Sequence, residues 1–138
     1  MDSIDYYSSL SPEAKAWVSN QEELIHAAIR SWLNCCVSAI AVPGLVILLA
    51  NVQPADIPGW IQRSGTVVLV FSILAEIKVQ AVRRAIFVVD ANRLYCDLHI
   101  EGKFGALMPY IQYSTYFLIA FGTLITGYGD LIYQIFFN

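Results

Sequence analysis

Charge is what this chain has least of. Only 14% of its 138 residues are Asp, Glu, Lys or Arg, against about 25% in soluble domains. Hydrophobic residues make up 57%, with a mean hydropathy of +0.57. That balance points to lipid as part of the solvent. Histidine is limited to His26 and His99, and cysteine to Cys35, Cys36 and Cys96. So small a set gives no zinc cluster, no C-x-x-C pair and no disulfide framework. No metal and no cofactor are expected. A Ser-His-Asp arrangement, a phosphate-cradling glycine loop and an H-E-x-x-H motif are also missing, so the chain is not expected to be an enzyme. The first residues are acidic and polar, unlike the basic and then apolar start of a signal peptide.

What the chain does have is long runs without charge. Ser31 to Ala55 is 25 residues without one, and Phe104 to Gly129 is 26. The stretch 57–89 is apolar around a charge-free Thr66–Ala75, then carries Glu76, Lys78, Arg83 and Arg84 with no helix breaker between them. As a helix it would reach roughly 50 Å, against roughly 30 Å of bilayer hydrocarbon. The expected fold is an all-α membrane protein, a single domain with three transmembrane helices at 32–51, 59–82 and 105–127. A short N-terminal cytoplasmic helical arm, 1–31, precedes them. The long second helix extends into the cytoplasm over 83–103, to about His99.

Local signals refine this. Ser11-Pro12-Glu13 reads as a helix start, and Ser19-Asn20-Gln21-Glu22 as a second one of the capping-box type. Trp32 and Trp60 suit the aromatic belt at a membrane interface. Pro43-Gly44 predicts a kink, and VQPADIP, 52–58, a short connection with Asp56 capping the second helix.

The signs of the charges are segregated. Five of the eleven acids fall in the first 23 residues, and five of the eight bases lie between 78 and 103. With the N-terminus inside, Lys15, Arg30, Lys78, Arg83, Arg84, Arg93 and Lys103 face the cytoplasm, while Arg63 alone faces out. The positive-inside rule then sets a cytoplasmic N-terminus and the C-terminus outside, and the expected location is the inner (cell) membrane.

Two constellations are candidate sites. Lys78, Arg83, Arg84, Arg93 and Lys103 form a basic collar, explained either as topology determinant plus attraction to anionic lipid or as a binding site for a nucleotide or oligonucleotide anion. Glu76 lies at the membrane boundary or within it, depending on register, and an acid at membrane depth is a functional hypothesis. With Gln112, Thr115 and Thr123 of the third span it is a candidate pore-lining residue.

Two motifs carry less. Thr126-Gly127-Tyr128-Gly129-Asp130 resembles a potassium-channel filter, but only eight residues follow it and no second helix can return. Arg93 and His99 resemble the R-x5-H of HEPN nucleases, with Leu94 where that family keeps a polar residue.

The run WIQRSGTVVLVFSILAE, 60–76, resembles a span of small membrane effectors in bacterial antiphage operons: those of retron, SLATT-type and Hailong-type nucleotidyltransferase systems. The resemblance implies a homo-oligomeric pore or ion channel, acting in antiviral defence and gated by a cytoplasmic nucleotide signal. A nucleotidyltransferase from the same operon would be its partner. The alternative is an accessory or immunity-type membrane subunit with no conduction of its own.

Overall fold

The computed structural model describes residues 10–49, 57–87 and 94–137. The arm before residue 10, the connection at 51–56 with Asp56, and Arg93 lie outside the described residues. The order is α1 (Pro12–Leu49), α2 (Ile57–Ile86), α3 (Leu94–Phe104), a single 3-10 turn (Gly105–Leu107) and α4 (Met108–Phe137). Among the described residues there is no strand.

Helix α1 begins where its sequence predicts. Ser11 accepts from the Ala14 N–H through Oγ at 3.2 Å and from the Lys15 N–H through its carbonyl at 3.0 Å, with Glu13 in the first turn beside the positive dipole end. The second start signal, at Ser19, begins nothing. Helix α1 runs through it and through Pro43 to Leu49, so arm and first span are one helix. The reason is packing: Val18 and Ile25, on either side of that signal, are both fully buried.

Helix α2 is central and packs along both α1 and α4. Its partners run antiparallel to it. Gln21, early in α1, donates through Nε2 to the carbonyl of Ala85, late in α2, at 2.8 Å. Three glycines set the register with α4: Gly65 stands against Thr126, Gly122 against Val68 and Leu69, and Gly129 against Ile61 and Gln62.

Buried residues recur every seven positions. On α2 the row is Gly65, Ser72, Val79 and Ile86, with Val68, Ala75 and Val82 between them; on α4 it is Met108, Thr115, Gly122 and Gly129. Helix α1 contributes Val18, Ile25 and Ala39, with half-buried Trp32 in the gap. A strict seven-residue repeat is the pattern of left-handed, knobs-into-holes packing.

The two ends of the bundle are built differently. At one end Val18, Ile25, Val79, Val82, Ile86, Cys96, Ile100, Phe104, Met108 and Ile111 form a core of large side chains. At the other, Val68 and Leu118 are buried among small residues, Ala39, Gly65, Ser72, Gly122 and Gly129, and large apolar residues such as Leu48, Phe117 and Ile135 point outward. The first end is a cap in which α3 folds back over α2.

That cap corrects the expected long extension. Helix α2 stops at Ile86 and a separate helix follows, because a lone helix running on into water buries nothing. Folding back instead buries Cys96, Ile100 and Phe104 against Val82 and Ile86, at roughly 1.5–3 kcal/mol for each large apolar side chain.

Among the described residues two helices are long and apolar enough to cross a bilayer, over Pro12–Leu45 and Gly59–Ile86. Helix α4 matches α2 in length, but Tyr110, Gln112, Tyr113, Tyr116 and Asp130 dilute its apolar run.

Candidate functional site

The sequence-predicted residues divide between two levels of the bundle. At the cap, Arg83 and Arg84 occupy the last turn of α2, where cations meet the negative end of the helix dipole, and both are exposed. Lys78 is half-buried. At about 100° per residue, Lys78, Arg83 and Arg84 leave the helix in three separate directions. One chain therefore presents a ring of bases around α2 rather than a pocket.

Lys103 is already engaged. Its Nζ lies 2.7 Å from Oε1 of Glu22 and 5.4 Å from the centroid of the Phe104 ring. It ties α3 to α1 through a solvent-exposed ion pair. The ring of Phe104 in turn meets His26 edge-on, with centroids 5.4 Å apart. Arg93, the fifth predicted base, lies outside the described residues.

Deeper in the bundle is a polar layer. Thr115 is fully buried. Its Oγ1 accepts from the Trp32 indole N–H at 2.9 Å and donates to the Ile111 carbonyl at 3.0 Å. Ser72, also fully buried, donates to the Val68 carbonyl at 2.7 Å. On α4, Gln112 Nε2 donates to the Tyr116 hydroxyl at 2.8 Å. On α2, Gln80 Nε2 donates to Oε1 of Glu76 at 3.0 Å, while Oε2 of Glu76 is buried without a hydrogen-bond partner.

The predicted pore-lining set is not one face. Thr115 is inside the bundle, bonded to Trp32; Thr123 is exposed and returns its hydroxyl to the Ile119 carbonyl at 2.8 Å. Glu76 and Gln112 are half-buried. Carried down from the glycine contacts, the register of α2 on α4 sets Glu76 level with Thr115 and Gln112 within a turn of it. These two are the predicted residues that share a level at the seam's edge. The Gly127–Asp130 run lies within α4, so its carbonyls belong to a helix and not to a filter.

Three participants were not anticipated. Trp32, read from sequence as an interfacial anchor, is the donor that joins α1 to α4. Glu22 is the counter-charge to Lys103, and Gln21 holds α1 to the end of α2. The seven-residue recurrence of Val18, Ile25, Trp32 and Ala39 was the signal that places Trp32 inward.

At the opposite end the Arg63 guanidinium sits 6.0 Å from the centroid of the Trp60 ring, a cation–π distance. A shallow apolar groove of about 480 Å³ separates α1 from α4, lined by Trp32, Cys36, Ile40, Tyr113 and Phe117 among others. Among the described residues no group of three or more His, Cys, Asp or Glu could hold a metal ion. No family model, curated protein or solved structure matches the chain.

Proposed function

We propose that this chain is a small membrane protein of three spans whose copies assemble into an ion-conducting pore, gated at its cytoplasmic cap by a nucleotide or oligonucleotide anion. The observation that carries the membrane half is the uncovered apolar surface. Only 11% of the most apolar stretch of α1 is buried, and 33% of that of α2, where the core helix of a soluble protein would be mostly covered. Lipid, or further copies, is the natural cover. Helix α4, of the same length as α2 and rich in tyrosine, serves as the third span beside it.

Assembly is part of the proposal because the interior of one chain is filled. Ser72, Ala75 and Thr115 are fully buried between the helices, so a conducting path would run between copies. The ring of Lys78, Arg83 and Arg84, multiplied around such an assembly, supports an anion as the gating signal. The defence role and an operon-encoded nucleotidyltransferase partner are supported by the resemblance of residues 60–76 alone.

Ion flux into liposomes carrying the purified protein tests this, with short oligonucleotides and cyclic nucleotides added on the cap side. A nucleotide that switches flux, and Arg83→Ala/Arg84→Ala protein that assembles but no longer responds, is the expected result. The filled interior also fits an accessory subunit packed beside a larger complex. A monomer by native mass in detergent, silent under every ligand, would favour that reading.

A further inference from the structure

Among the described residues, Oε2 of Glu76 is the only buried side-chain polar atom without a hydrogen-bond partner. A carboxylate oxygen sealed from water is costly unless a positive charge or a donor meets it. The bases of its own helix do not. Lys78 is two residues on, about 200° round the helix, and Arg83 and Arg84 are roughly 10–12 Å along the axis. The contact made to Glu76 is the Gln80 N–H on Oε1, and nothing meets Oε2. Gln80 and Gln112 both use their amide N–H groups, toward Glu76 and Tyr116 respectively, which leaves both amide oxygens as acceptors.

Placement favours a ligand too. Gln62, Gly65, Leu69, Ser72 and Glu76 recur at alternating spacings of three and four on the row of α2 that meets α4. About 20 residues cross the hydrocarbon, so a span entered at Gly59 has Glu76 in its last turn, where the bundle passes into the cap. From α4 the groups at that level are Thr115, Gln112 and Tyr116. From α1 they are Ala28, Ile29 and Trp32, with His26 and Arg30 exposed beyond them.

We infer that Glu76 anchors a binding site for a small monovalent metal cation, of the size of sodium, at the α2–α4 seam where span meets cap. Hard oxygen donors select hard cations, and calcium or magnesium sites draw on more carboxylate charge than the single acid here. Oε2 supplies the charge; the amide oxygens of Gln80 and Gln112 and the Tyr116 hydroxyl complete the oxygen set. The inference deepens the pore reading, since it makes the conducted ions cations. It rests on that reading for this consequence only, because binding needs no conduction.

The test is dicyclohexylcarbodiimide labelling of the full-length protein in detergent, at one pH, with sodium chloride or choline chloride at equal ionic strength. The carboxyl O–H adds across one C=N bond: its oxygen bonds to the central carbon and its proton goes to nitrogen. Acyl transfer from oxygen to nitrogen then leaves a stable N-acylurea, with nothing oxidised or reduced. Peptide mass mapping should place the adduct on Glu76, with labelling slowed by sodium relative to choline and lost in Glu76→Gln. Equal labelling in the two salts overturns the site, as does an adduct on another acid or none on Glu76. The salt comparison uses the unaltered chain, so it holds even if the variant fails to fold. Sodium protection in protein whose liposomes stay silent would keep the site and remove the pore.

Discussion

Trp32 and Thr115 stand 83 residues apart and meet at 2.9 Å. The hydroxyl of Thr115 is used twice, accepting from the indole and donating to its own helix, in an interior where an unmet polar group is expensive. Trp32→Phe keeps the aromatic ring and removes the N–H, so it should cost about 1 kcal/mol, seen as a lower melting temperature in detergent. Thr115→Val should cost a similar amount, and the double variant no more than about the larger single effect if the two form one bond. Strictly additive losses would show that the contact contributes nothing. This pairing was hidden from sequence because a tryptophan at the head of a charge-free run fits the interface as well as the interior. Only its place in the row Val18, Ile25, Ala39 separates the two. Lys103 was hidden likewise, its counter-charge Glu22 being distant in sequence.

At the scale of elements, the bundle is held apart by side chains at the cap and drawn together by glycines at the far end. A Cβ on Gly65 would lie 2.5 Å from the backbone nitrogen of Thr126, whereas one on Gly127 would meet nothing within 4 Å. The two glycines therefore make opposite predictions. Gly65→Ala should force α2 and α4 apart and cost about 1–3 kcal/mol, as overpacking does. Gly127→Ala should instead stabilise by roughly 0.5–1 kcal/mol, because glycine in a helix interior is the poorer helix former. Unfolding of both variants in the same detergent checks the pair; a harmless Gly65→Ala would refute the close approach. The helices themselves were legible in sequence, since charge-free length and the Ser11 cap are local signals. Their ends were less so. Nothing in residues 76–99 breaks a helix, and α2 ends at Ile86 because Ile100 and Phe104 return to cover it, a gain no local pattern records.

For the whole molecule the decisive feature is where the charges end up. Antiparallel packing brings Lys15, Arg30, Lys78, Arg83, Arg84 and Lys103, scattered from 15 to 103 in sequence, to the cap half of the bundle. Arg63 stands at the opposite end, where Gln62 meets Gly129. This gathering follows from the register of three helices, independently of any membrane. If lipid surrounds the apolar half, the positive-inside rule fixes which way the bundle stands, because moving the cap would carry six bases across. The expectation can be read from single cysteines placed in a background freed of Cys35, Cys36 and Cys96. Arg84→Cys, at the exposed end of α2, should resist a membrane-impermeant maleimide added to intact cells and react once the membrane is opened. Arg63→Cys should react from outside directly. The reverse pattern would invert the topology and move the basic ring away from any cytoplasmic signal, removing the gating half of the proposed function. Reaction of both sites from one side would mean that α2 does not cross the membrane, and the pore would fall with it.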